Sequence, residues 1–287
     1  MRSKLFVPGS RPELFAKALA GPADALSFDL EDAVAGERKD EARRHLADLL
    51  VSPAAAASAK TLIVRVNALD SGCFQADVQA VVRPALRLVN LPKAESADQV
   101  RAAAQAIEQA RRDNGVEQAV GLLLNIESPR ALRDAAALAA AHPSVAGLQL
   151  GLGDLFEPAG IDRREPAAVQ QAMFALRLAA AEAGVFAYDS AFANIEDEAG
   201  FQAEAALARR LGFLGKSCIH PRQVPLANAA FRPTDAEIAH ARRVVLAAGQ
   251  AEAQGVAAFV VDGRMIDGPF LRRAETVVRL ADTLEAR

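Results

Sequence analysis

The feature that most restricts what this chain can become is a regular alternation of short apolar runs with longer stretches of helical character. The runs are Lys4–Val7, Ala25–Phe28, Leu62–Val66, Leu86–Leu91, Val120–Ile126, Val145–Leu150, Val185–Ala187 and Phe213–Ile219. Several are apolar without polar alternation, as parallel strands covered on both faces are. Between them, Lys39–Leu50, Ala97–Arg112, Pro129–Ala141, Glu165–Ala183 and Asp197–Leu211 read as helices. In Ala97–Arg112, for example, Val100, Ala103, Ala104 and Ile107 fall on one face. Ser128-Pro129 and Asp197 mark helix starts, while Gly184 and Gly212 stand just past helix ends. Eight strand–helix repeats predict an α/β fold, a (β/α)8 TIM barrel over residues 1–232, with a doubly wound open sheet as the alternative. Pro53–Lys60 is expected to be a surface loop.

Residues 233–287 exceed what a barrel needs. They read as a helix (Asp235–Ala253), a short strand (Ala257–Val261), a turn and a final helix (Pro269–Leu284). This C-terminal helical/strand extension is expected to cap the barrel or to reach a neighbouring subunit.

Composition excludes several classes. With 52% hydrophobic and 24% charged residues the chain is not disordered. A net charge of −3 without a long basic run argues against nucleic acid. No apolar segment approaches the roughly 20 residues of a membrane span, and the N-terminal run stops at Pro8-Gly9, so no membrane partner is expected. Two distant cysteines, Cys73 and Cys218, suit packing in a reducing cytoplasm rather than a disulfide framework.

In such barrels reactive groups sit where strands end and loops begin. The strand ends here supply Asp29, Glu31 and Asp32, then Arg65 and Asn67, Lys93 and Glu95, Asn125 and Glu127, and Gly151, Gly153 and Asp154, with Asp189 and His220 last. Glu127 and Asp154 end adjacent strands, about 4.8 Å apart in a sheet. Crowded like charges cost stability unless something compensates, and a hard cation does so. Two carboxylates are the usual protein share of a Mg2+ site, whereas few histidines and no clustered thiols make zinc the poorer choice. On spacing alone, solvated loop carboxylates and a metal site remain open alternatives. Strand alternation keeps Asp29, Glu31 and Asp32 from all pointing inward. Glu31 and Asp32 are assigned to orienting a metal-bound water or Arg65; the alternative gives Asp32 a loop-capping role.

Other signals are weak. Gly215-Lys216-Ser217 lacks the first P-loop glycine, Gly151-x-Gly153 lacks the third dinucleotide glycine, and no GxSxG elbow occurs. Lys93 reads as an ion-pair partner before a Schiff-base lysine, and His220 as a hydrogen-bonded barrel-top residue.

Taken in order, several segments resemble the citrate lyase β-subunit-like branch of the HpcH/HpaI aldolase/citrate lyase superfamily, over nearly the whole chain. They are Arg2-Ser3-x-Leu5-Phe6-Val7-Pro8-Gly9, Asp29-Leu30-Glu31-Asp32-Ala33-Val34, Arg65-Val66-Asn67, Leu91-Pro92-Lys93, Ile126-Glu127-Ser128-Pro129, Gly151-x-x-Asp154, Gly212-Phe213-x-Gly215-Lys216-x-x-Ile219-His220-Pro221 and Asp262-Gly263-x-Met265-Ile266-Asp267. The resemblance implies a TIM barrel, usually a homotrimer, with Mg2+ held by Glu127 and Asp154. It also implies an acyl-CoA-type thioester substrate and carbon–carbon cleavage, with Arg65 on the 2-oxo acid carboxylate. Asp267 would then enter a neighbouring subunit's site as acid/base. Two departures stand out: Ser128 replaces the usual Thr, and Gly153 precedes the metal aspartate, which bears on the pocket mouth and substrate identity. Substrate contacts are expected from Arg65, Gly153, Asp154 and Glu127, and coenzyme A contacts from Arg11 and Lys17.

The leading expectation is a Mg2+-dependent lyase for malyl-CoA or citramalyl-CoA thioesters. A thioesterase of the same substrates, a citrate lyase β subunit acting on acyl-carrier-protein-bound citryl groups, and a non-catalytic regulatory relative are the alternatives.

Overall fold

A computed structural model describes residues 1–285 of the chain. Among them eight parallel strands form one sheet: β1 (Ser3–Pro8), β2 (Ala25–Asp29), β3 (Thr61–Arg65), β4 (Leu86–Leu91), β5 (Gly121–Ile126), β6 (Val145–Leu150), β7 (Phe186–Tyr188) and β8 (Lys216–Cys218). The helices are α1 (Phe15–Ala20), α2 (Lys39–Val51), α3 (Pro53–Ala56), α4 (Phe74–Val81), α5 (Ala97–Asp113), α6 (Pro129–Arg133), α7 (Ala135–Ala139), α8 (Leu152–Phe156), α9 (Pro166–Glu182), α10 (Glu198–Arg210), α11 (Gln223–Ala230), α12 (Asp235–Ala253) and α13 (Gly268–Glu285). Contacts divide the chain into two compact units, Met1–Phe231 and a second that begins at Arg232.

The strands follow the order β7-β6-β5-β4-β3-β2-β1-β8. The ring closes between β7 and β8 through one parallel bridge, Asp189 to Lys216. Leu214 N–H to Ala187 O (2.8 Å) and Asp189 N–H to Gly215 O (2.9 Å) flank it. The result is the (β/α)8 barrel. Gly215 is required at this seam, because a Cβ there would lie 2.1 Å from the Met1 carbonyl oxygen.

The main core lies between strands and helices: Leu26, Phe28, Val64, Leu122, Leu124 and Leu148 of the sheet join Leu46, Ile107 and Leu176 of the helices. Inside the barrel a small separate cluster of Ala25, Ile63 and Leu88 plugs one end. Above it the interior turns polar, which corrects the expectation of strands apolar on both faces. Lys4 of β1 donates across the barrel to Gln149 of β6, and Asn90 donates to Asn125 (2.8 Å). Lys4 is fully buried; desolvation, with help from the Arg65 charge, holds its amine well below the ordinary pKa.

Local rules explain the element ends. Ser96, Ser128 and Asp197 cap α5, α6 and α10 by accepting backbone N–H bonds. Gly184 and Gly212 take positive φ after α9 and α10. Two expectations fail. Pro53–Ala56 is a helical turn rather than loop, because Ser52 caps it and Pro53 occupies the first helical position. The stretch Pro129–Ala141 breaks at Asp134, which leaves helical dihedrals (φ −98°, ψ 10°) and pairs with Arg133 at 2.8 Å.

The second unit begins with α12, entered through a Thr234/Glu237 capping box. A hairpin of β9 (Phe259–Val261) and β10 (Arg264–Ile266) follows, and the second strand was not anticipated. Its signal is Asp262-Gly263, both at positive φ, the two-residue hairpin turn. Ala241, Val244, Val261, Ile266 and Ala274 form this unit's core.

At the barrel seam the Lys216 ammonium is fully buried between Asp189 (2.7 Å) and Glu204 (2.6 Å). Burial alone would lower its pKa, but the two carboxylates outweigh that and keep it charged. Lys216→Met leaves both carboxylates without their shared cation. It is expected to destabilise the protein by about 3–5 kcal/mol, read as a lower urea midpoint at unchanged m-value. A loss below about 1 kcal/mol would show that the pair contributes little.

Candidate active site

At the C-terminal ends of the strands a cavity of about 1070 Å³ opens, lined by residues of the first unit. Arg65, the last residue of β3, stands in register with Asp29, the last of β2. Asp29 receives two N–H bonds from it, Nε and Nη2, both at 2.7 Å. The remaining nitrogen, Nη1, lies 2.8 Å from Glu31 and 3.3 Å from Asp32. Burial alone would lower the Arg65 pKa, yet this carboxylate ring raises it, so the guanidinium stays charged.

Loop capping was the alternative role for Asp32, beside that of orienting Arg65 or a metal-bound water. The structure gives it to Asp29, which also accepts from the backbone N–H groups of Glu31 and Ala33 (both 3.0 Å). The paired fork of Arg65 therefore already has a protein partner. Strand parity carried the signal, since Ser27 and Asp29 share a face of β2. Behind this loop Lys39 donates to the carbonyl oxygens of Leu30 (2.9 Å) and Glu31 (3.2 Å) and to Asn67.

Glu127 follows β5 and is buried. It accepts from the Lys93 backbone N–H (2.8 Å) and from Asn125 Nδ2 (3.1 Å). Burial pushes its carboxyl up to about 7, and the neighbouring Glu31 and Asp154 charges add to the shift. Asp154 stands exposed on α8. Neither carboxylate has a Lys, Arg or His ion-pair partner among the described residues. Gly151 packs directly on Glu127: a Cβ there would sit 2.6 Å from Glu127 Cβ. Gly153 meets nothing within 4 Å and leaves the mouth open. Ser128 uses its hydroxyl twice, accepting from the Ala131 N–H to cap α6 and donating to Glu95.

The opposite wall was missed. Arg163 forks onto Glu204 (2.7 and 2.9 Å) and reaches Ser190 Oγ (3.1 Å), while Glu204 holds Lys216. These residues lie on the β6–α9 loop, the end of β7, α10 and β8, and no short-range pattern links them.

The cavity thus gathers Arg65, Glu127, Gly153 and Asp154, with Glu31 and Asp32 held against Arg65. It does not gather Arg11, which pairs with Glu13 at 2.8 Å, or Lys17, exposed on α1. Arg163, Arg164 and Arg210 are the further cations on its wall. Asp267 belongs to the second unit, just before α13, with Oδ1 buried and without a hydrogen-bond partner.

Oxygen-only donors on one cavity wall suit a hard cation. No group of three or more His, Cys, Asp and Glu side chains is placed for a metal among the described residues, so water and substrate would complete any coordination shell. No described helix is long and apolar enough to cross a membrane.

The family model for HpcH/HpaI aldolase/citrate lyase matches residues 2–221. The citrate lyase subunit beta of Escherichia coli (strain K12) is 40% identical over 283 residues, covering 98% of this chain and 93% of that protein. The L-malyl-CoA/beta-methylmalyl-CoA lyase of Rhodobacter capsulatus is 32% identical over 302 residues, covering 98% and 94%. The solved structure of CitE from Mycobacterium tuberculosis, in complex with magnesium, acetoacetate and coenzyme A, superposes with a TM-score of 0.76. It is 36% identical and covers 98% of this chain and 100% of that one. Barrel, strand-end carboxylates and full-length similarity agree, and the chain belongs to the HpcH/HpaI aldolase/citrate lyase family.

Proposed function

We propose that the protein is a Mg2+-dependent carbon–carbon lyase for a 3-hydroxyacyl-CoA thioester of the malyl-CoA or citramalyl-CoA class. The products are a 2-oxo acid and a shorter acyl-CoA. One observation carries the reading: Glu127 and Asp154, without cationic partners, share a cavity wall with the charged Arg65. The names of the relatives, lyases of malyl-CoA and citrate, fit that chemistry.

Glu127 and Asp154 would hold Mg2+, which supplies Lewis acidity toward substrate oxygens when bound. Arg65 orients the substrate carboxylate, sharing or replacing its Nη1 contacts with Glu31 and Asp32 while Asp29 keeps the guanidinium in place. Gly151 leaves Glu127 its place beside the main chain, and Gly153 leaves room for the acyl portion. Asp267 hands a proton to the carbon that loses its bond, acting in a neighbouring subunit of a homotrimer. Two free thiols, Cys73 and Cys218, are consistent with a cytoplasmic setting.

The direct test is purified protein with Mg2+ and malyl-CoA, citramalyl-CoA and citryl-CoA. A 2-oxo acid with a shortened acyl-CoA is expected, and a chelator should abolish its formation. Free CoA with the hydroxy acid intact would make the protein a thioesterase instead. Activity confined to citryl groups on an acyl carrier protein would make it a citrate lyase β subunit.

Two variants test the metal assignment. Asp154→Ala should lose metal-dependent turnover while its melting temperature stays within a few degrees; undiminished turnover overturns the assignment. Gly151→Ala should push Glu127 aside and weaken Mg2+ binding about 10–100-fold by calorimetry, with an unchanged circular dichroism spectrum.

A further inference from the structure

Lys93 lies two residues past β4 with φ 55°. Among the described residues only it and Asp262 combine a side chain with positive φ. This left-handed conformation disfavours residues with a Cβ, and such strain persists where the surroundings hold it in place. Here the surroundings hold two different parts of one residue. The backbone N–H donates to Glu127 Oε1 at 2.8 Å, and the ammonium lies 2.8 Å from Glu31 Oε1. Through its other oxygen Glu31 meets Arg65 Nη1 at 2.8 Å.

Glu31 and Glu127 are both buried carboxylates that repel one another, and Lys93 reaches both, by a backbone hydrogen bond to Glu127 and an ion pair with Glu31. If the turn alone mattered, glycine would serve there without strain. If the ammonium alone mattered, a lysine at ordinary φ would serve. The two contacts together account for a lysine in this conformation.

We infer that Lys93 is a positioning residue that couples the two halves of the site, its backbone N–H aiming Glu127 and its ammonium bracing Glu31 against Arg65. The inference rests on the proposed reading of Glu127 as a metal ligand and Arg65 as a carboxylate anchor. The two halves are separable by substitution. Lys93→Gly keeps the turn and its N–H but removes the ammonium. Lys93→Val removes the same charge, and its β-branched side chain resists positive φ, so the N–H is drawn off Glu127. Lys93→Arg keeps a cation.

Calorimetry on the full-length protein measures Mg2+ alone, then pyruvate in the presence of saturating Mg2+; thermal melts check folding. Lys93→Gly should bind Mg2+ at least as tightly as the parent but pyruvate about tenfold more weakly. Lys93→Val should weaken Mg2+ as well, by about tenfold relative to Lys93→Gly, and Lys93→Arg should restore pyruvate binding. Equal Mg2+ affinities for the Gly and Val variants overturn the backbone role. Parental pyruvate affinity in Lys93→Gly overturns the ammonium role and leaves Lys93 an ordinary surface ion pair. A parent protein that binds neither Mg2+ nor pyruvate overturns the functional reading itself, and this inference with it.

Discussion

The barrel depends on how its last seam is closed. Seven strand junctions are ladders, but β7 and β8 meet in a single bridge between Asp189 and Lys216. The side chains of those two residues then form an ion pair shielded from water. A buried ammonium is costly unless fully compensated, and Lys216 has two carboxylates and the Ser190 carbonyl oxygen (3.1 Å). Glu204 extends the pairing to Arg163 on the cavity wall. Burial would raise the Glu204 pKa, but Lys216 and Arg163 outweigh it and hold the carboxyl below its ordinary range. The charges therefore alternate from the barrel seam to the rim of the site, and the group that closes the fold also fixes one side of the cavity.

The other side poses the opposite problem. Among the described residues, the ion pairs of Asp29, Glu31, Asp32, Glu127 and Asp154 are made with Arg65 and Lys93 alone, five formal negative charges against two positive. Asp29 is settled by a paired fork and two backbone donors. Glu31 is pushed above its ordinary range by burial, against the pull of Arg65 and Lys93. Glu127 receives only neutral donors, and burial carries it to about 7. The unbalanced charge thus collects on Glu127 and Asp154. A divalent cation there would relieve the repulsion that the fold has built in, which ties the electrostatics to the proposed chemistry.

Much of this was legible in the sequence because strand ends in a parallel barrel are marked by where apolar runs stop. Leu86–Leu91 and Val145–Leu150 coincide with β4 and β6. The same logic brought Arg65, Glu127 and Asp154 to one mouth. It said less about which group each would touch. Asp29 was read as one of three crowded acids, and only the β2–β3 register shows it opposite Arg65. Lys4 was hidden inside an apolar run, since periodicity cannot distinguish a strand's barrel face from its helix face when both are buried. Arg163, Glu204 and Lys216 meet through tertiary folding alone. Arg11 and Lys17 had only their charge and their loop in favour, and neither lines the cavity.

The two glycines beside Asp154 show how different demands leave the same residue. At Gly151 the constraint is steric: the main chain runs so close to Glu127 that a methyl group would overlap it. Glu127 and Asp154 both line the cavity, so the glycine that leaves Glu127 its place is part of the proposed metal geometry. At Gly153 φ is not positive and no atom crowds the position. A side chain would fit, and it would project from a residue that lines the cavity. Glycine at 153 is therefore a choice of open space at the mouth rather than a backbone necessity. A side chain could be added at 153 without disturbing Glu127, so under the proposed function this position bears on the acyl group the site admits and not on its metal ligands.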